Sequence, residues 1–170
     1  GPESRPSEKE SNNYEEEIPE ITESRNFAEG KAEIKENLNN APVPRVVMQD
    51  TASVTTYLPL PDNTDIADFR KKVSALLMRN ELKIAENRGA GNDLFIKTVR
   101  LPGKLKNDVK VDFFYQLWIK DNDPEKIYAK FKYYELEKPD KKLNYGKNSE
   151  EFFYDTLVPE LKSIIRSYAR

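Results

Sequence analysis

The sequence predicts an α+β domain: one antiparallel sheet of about five strands, in the order strand, helix, four strands, helix, with two helices packed on one sheet face. Two stretches carry apolar residues at the 3.6-residue period of a half-buried helix, and four consecutive segments alternate with the period of two that marks strands. The links between those four segments are of hairpin length, too short for parallel crossovers, so they form an antiparallel meander. Both amphipathic helices then need an apolar surface to cover, and one sheet face supplies it.

The N-terminal quarter differs in kind from the rest. Residues 1 to 44 hold 5 basic and 11 acidic side chains, whereas residues 45 to 170 hold 23 and 19. The opening "GPESRPSEKESNNYEEEIPEITESRN" is nearly devoid of large apolar side chains and cannot offset the entropy of ordering it. Residues 1–44 are therefore expected to be a disordered acidic tether, and residues 45–170 a single domain. Gly1-Pro2 has the form of a tag-cleavage remnant. "NFAEGKAEIKENL" places Phe27, Ile34 and Leu38 near one helical face, but Gly30 interrupts a thin stripe. "APVPR" at 41–45 bars a helix from running through and sets the domain boundary near Arg45.

Within the domain, "SVTTYLPL" (53–60) is β-branched and alternating, and "PDNTD" behind it combines a turn with a helix cap at Thr64 or Asp65. Ile66, Phe69, Val73, Leu76 and Leu77 then form one helical stripe. Two short alternating runs follow around "NRGAGN", whose glycines and asparagines supply the positive φ angles of a hairpin loop. "KLKND" is a turn ahead of "KVDFFYQLWIKD" (110–121), and "DNDPEK" a turn ahead of "IYAKFKYYELE" (127–137). The chain closes with a helix capped by Asn148 or Ser149, with a stripe of Phe153, Leu157, Leu161, Ile164, Ile165 and Tyr168. Pro159 inside it leaves two outcomes open, one kinked helix or two helices meeting near Val158.

Over residues 50–170 this order of elements resembles the small α+β domains with a TATA-binding-protein-like arrangement found in uncharacterised lipoproteins of Bacteroidetes. The resemblance implies the fold, no functional residue, and a place in the cell envelope or periplasm. An acidic spacer behind a lipidated N-terminus would give the only membrane attachment; the alternative is an ordinary cytoplasmic protein with a polar N-terminus.

The chain contains no His and no Cys, which excludes Ser-His-Asp and Cys-His catalysis, disulfides and conventional zinc sites. No cofactor, metal or catalytic residue is assigned. "RGAGND" lacks the Lys-Ser/Thr pair of a phosphate loop and precedes a strand. "DNDPEK" lacks the central Gly and distal Glu of a calcium loop. A carboxylate-dependent enzyme would require two acids converging in a concave pocket with no cationic neighbour.

What remains is the second face of "KVDFFYQLWIKD". Val111, Phe113, Tyr115, Leu117 and Ile119 take the core parity; Phe114 and Trp118 take the other. With Tyr128, Lys130, Lys132 and Tyr134 of the next strand they form the candidate binding residues. Three uses are open: cross-strand packing of a half-exposed sheet, contact with a protein partner or with the N-terminal segment, and stacking of single-stranded nucleic acid. The small positive balance of residues 45–170 weighs against nucleic acid. The leading expectation is a non-catalytic interaction domain with this face exposed. Trp118, which shares its parity with Lys110, Asp112, Gln116 and Lys120, is expected to be largely wet.

Overall fold

The computed structural model describes residues 22–25 and 49–169. The chain runs β1 (Thr22–Arg25), β2 (Gln49–Pro59), α1 (Ile66–Arg79), β3 (Ile84–Arg88), β4 (Leu94–Thr98), β5 (Leu101–Lys104), β6 (Lys110–Lys120) and β7 (Asp123–Leu136). It ends in α2, an α-helical turn Ser149–Phe152, a π-helical stretch Phe153–Leu157 and an α-helical run Val158–Arg166. The fold is α+β, as expected. All strand pairs are antiparallel, in the order β1-β2-β7-β6-β4-β3, and β5 also pairs with β6.

Local chemistry sets the ends of the helices. The Asp65 side chain accepts the Asp68 N–H at 3.2 Å and the Asn148 side chain accepts the Glu151 N–H at 2.9 Å, each satisfying an orphan donor of the first turn. The two outcomes left open for the last helix resolve into one continuous run. Ahead of Pro159 the backbone widens, and the Val158 N–H bonds to Phe153 O, five residues back. A π turn there gives the proline ring room where an α-helical carbonyl would crowd it.

The core lies between one sheet face and the two helices. Phe69, Val73, Leu76 and Leu77 of α1 and Phe153, Leu157 and Leu161 of α2 pack on Phe113, Tyr115, Leu117 and Phe131. Tyr115 is its hub. Its ring stacks on Phe153 at 6.0 Å and 9°, its hydroxyl donates to Ser149 O at 2.6 Å, and its backbone N–H donates to Thr98 Oγ1 at 2.9 Å. Burial pushes its phenol well above the usual tyrosine range.

Three features depart from the sequence reading. The stretch from Ile84 to Lys104 makes three strands: β4 pairs with the C-terminal half of β6 and β5 with its N-terminal half, along the same edge. "LPGK" has little alternation to announce a strand, and it is the length of β6 that leaves an edge for it to fill. The turn after β6 is Asp121-Asn122 alone, and β7 begins at Asp123, with Pro124 at its first positions, where a missing donor is tolerated. Finally, Thr22–Arg25, within the expected tether, pairs with the outer edge of β2, Thr22 opposite Thr55 and Arg25 opposite Ala52. Edge pairing draws on backbone groups, which composition does not reveal. The rest of the expected tether, the stripe of Phe27, Ile34 and Leu38 and the boundary at Arg45 lie outside the described residues.

Candidate contact face

The sheet face away from the helices is assembled from alternate residues of four strands. Register aligns them in rows: Tyr57, Tyr128, Trp118 and Phe95 in one; Thr55, Lys130, Gln116 and Lys97 in the next; then Ser53, Lys132 and Phe114; then Thr51, Tyr134 and Asp112. All six sequence-predicted residues, Phe114, Trp118, Tyr128, Lys130, Lys132 and Tyr134, lie on it. The sequence reading placed Asp112 on this parity but missed its partner Arg100, and it missed Phe95, Lys97 and the β2 residues Thr51, Ser53, Thr55 and Tyr57. Alternation in "SVTTYLPL" marks the β2 set, but only pairing of β2 with β7 brings it beside Lys130 and Lys132. Arg100, in the break between β4 and β5, has no sequence signal.

The first row is an aromatic cluster. Trp118 stacks on Tyr128 at 5.4 Å and 14°, and Tyr57 leans on Tyr128 at 5.9 Å and 50°. Cations cap its edges: Arg88 lies 4.0 Å from the Phe95 ring, Lys126 4.5 Å from Tyr57 and Lys120 4.9 Å from Tyr128. The Tyr128 hydroxyl donates to Asp123 Oδ2 at 3.2 Å, and that carboxylate also pairs with Lys126. At the other end, Arg100 lies 3.8 Å from the Tyr134 ring and 3.5 Å from Asp112 Oδ2. Between them, Lys97 sits 4.6 Å from the Phe114 ring.

The expectation of a wet Trp118 is corrected. Trp118 is 4% exposed, Tyr128 0%, Lys130 and Lys132 4% each and Phe114 7%. Charged neighbours on the same parity do not keep this face open, because they bring compensating partners: Asp112, itself 1% exposed, is paired with Arg100. Yet no described helix packs on the face; at one corner Tyr145 packs on Leu136. The Trp118 indole N–H is buried with no acceptor among the described residues, a costly state for a donor.

Beside the aromatic row lies a cleft of about 450 Å³, lined among others by Arg88, Asp93, Trp118, Lys120 and Asp121. The Asp93 carboxyl is held above its ordinary value by its hydrogen bond to Asp121 and by repulsion from that carboxylate. Two acids thus converge, and the cations Arg88 and Lys120 line the same cleft. Among the described residues no group of three or more carboxylates is placed to hold a metal ion, and no helix is long and apolar enough to cross a membrane. No protein-family model, no curated protein and no solved structure matches the chain.

Proposed function

We propose that this chain is a non-catalytic interaction domain whose contact surface is the sheet face of Phe114, Trp118, Tyr128, Lys130, Lys132 and Tyr134. The observation that carries the reading is the closure of that face. A lysine in the middle of a bare sheet face keeps its ammonium in water. Here two adjacent lysines, Lys130 and Lys132, are nearly lost from solvent together with the rings around them. A surface built to be covered has this character: aromatic anchors, cations over ring faces and an indole N–H awaiting an acceptor.

Charge reversal tests it. On a bare face Lys130→Glu with Lys132→Glu would cost no more than ordinary surface changes, within about 0.5 kcal/mol each. On a covered face each reversal places an unpaired carboxylate against buried aromatic rings, and denaturant melts should show a loss several times larger. A double reversal with wild-type stability would end the reading.

Single-stranded nucleic acid is the weaker alternative. Bases would have to stack on rings whose faces Lys97, Arg100 and Lys132 already approach. A place in the cell envelope, with a lipid anchor ahead of the acidic segment, is part of the proposal and rests on the composition of residues 1–44 and on the resemblance to envelope lipoprotein domains.

A further inference from the structure

Beyond the contact face, we propose that the outer edge of β3 docks a second copy of this chain: two β3 strands pair antiparallel about a two-fold axis at Asn87 and join two sheets into one. The sheet order ends in β3, and no described strand pairs with its outer side. From Ala85 to Arg88 the strand is exposed. Along a strand alternate residues direct their N–H and C=O to opposite sides, so about half of the backbone groups of β3 point outward. An edge of that kind accepts another strand.

The edge is held in shape by its own chain. The Asn87 side chain accepts from Arg70 and donates to Ser74 Oγ at 3.5 Å, while Arg70 also holds the Arg88 and Gly89 carbonyls at 3.1 and 3.0 Å. Asn87 therefore points to the helical side, and Glu86 and Arg88 point to the other, opposite Lys97 and Phe95 of β4. A strand docking here meets a preorganised edge. Met78 follows Ser74 by one turn on that flank of α1, and at 65% it is the most exposed large apolar side chain among the described residues. Two such flanks brought together would cover it.

Charge selects both the partner and the register. A two-fold axis that keeps both helical layers on one side sets one residue of β3 opposite its own copy. Centred on Glu86 or on Arg88, it would bring like charges together. Centred on Ala85, it would fall on the irregularity between Ile84 and Glu86, where the strand bends. Centred on Asn87, it sets each Glu86 opposite the Arg88 of the second copy, so the same ion pair forms on both sides of the axis. Within one chain these two side chains meet only at 3.9 Å and stay half-exposed, which leaves both open to a second partner. An unlike strand would leave the charges unmatched; a second copy matches them all.

Sedimentation equilibrium of the full-length protein should show a mass that rises with concentration toward twice that of the chain. Glu86→Arg leaves only cations at this pair of sites and Arg88→Glu only anions, so in either variant alone the association should weaken about tenfold or more. Mixed in equal amounts, the two variants should pair again, because each Arg then meets a Glu of the other chain. The ion pair within one chain is lost in both variants and is not restored by mixing, so the recovery reports the contact between copies. Both sites are exposed, and the circular dichroism should stay that of the wild type. Met78→Asp, on α1 and off the strand, should also weaken the association severalfold, which keeps the test valid if a strand variant fails to fold. A wild-type protein that stays monomeric at its highest soluble concentration overturns the proposal. So does a dimer that survives the folded strand variants, or Met78→Asp where those do not fold, since the contact would then lie elsewhere. Single variants that stay apart when mixed overturn the pairing about Asn87.

Discussion

The rings of Trp118 and Tyr128 stack across the β6–β7 hairpin at 5.4 Å, only 14° from parallel, on the sheet face that carries no described helix. Both are cut off from solvent to the degree of a core pair. Removing the indole should therefore behave as a core truncation. Trp118→Ala is expected to cost about 3–5 kcal/mol in a denaturant melt of the full-length chain. A loss within about 1 kcal/mol, as for an exposed aromatic, would show that the face is open in solution.

Tyr115 is the corresponding anchor on the helical side. Its hydroxyl holds the Ser149 carbonyl in the first turn of α2. Tyr115→Phe keeps the stacked ring and deletes one buried hydrogen bond, so stability should fall by about 0.5–1.5 kcal/mol. Equilibrium urea melts resolve that difference, and no change would mean that the bond contributes nothing net.

Acid should loosen the seam between the two helices. The Tyr168 hydroxyl donates to Asp68 Oδ2 at 2.5 Å, and Lys72 pairs with the same oxygen at 3.1 Å. The Tyr168 hydrogen bond, then that of Lys72, hold the Asp68 carboxyl below its ordinary value. A depressed carboxyl contributes stability that is present above the unfolded value near 3.8 and lost as pH falls through the folded value. The stability gap between the wild-type protein and Asp68→Asn should thus be full at neutral pH and close below about pH 4. A gap that is constant from pH 7 to pH 3 would contradict this.

Alkali should act on the same contact. Burial, followed by the hydrogen bond to Asp68, raises the Tyr168 phenol. Its contribution is complete below the unfolded value near 10 and lost as pH rises toward the folded one. Tyr168→Phe should remove that limb of the stability profile, and an unchanged alkaline limb would assign it to another group.

The tip of the β3–β4 hairpin depends on Gly89 and Arg70. Gly89 has φ of +111°, and an added Cβ would stand 2.8 Å from Asp93 O. Gly89→Ala should therefore destabilise by more than about 1 kcal/mol. The Arg70 guanidinium donates to the carbonyls of Arg88, Gly89 and Asp93 at 3.1, 3.0 and 2.7 Å and to the Asn87 side chain. These bonds are exposed, so Arg70→Ala should speed amide exchange at residues 87–93 more than it lowers the melting temperature. Uniform acceleration across the whole sheet would refute that local role.

The sequence by itself determined those elements whose pattern is local. The stripe from Ile66 to Leu77, the alternation of "KVDFFYQLWIKD" and a cap at Thr64 or Asp65 and at Asn148 or Ser149, which the structure resolves to Asp65 and Asn148, are each written within one segment, and each segment adopts the form that satisfies its own backbone and hides its own apolar side. The six face residues were legible for the same reason, because parity alone assigns them to one side of β6 and β7. Tertiary structure decided what no segment contains. Pairing of β2 with β7 set Thr55 beside Lys130 and Ser53 beside Lys132, and the edge of β6 made a strand of Leu101–Lys104. The break after β4 placed Arg100 against Asp112 and Tyr134. Whether a face is wet depends on what lies across it, which no single segment contains. Parity therefore fixed the direction of its side chain, and packing alone fixed its burial.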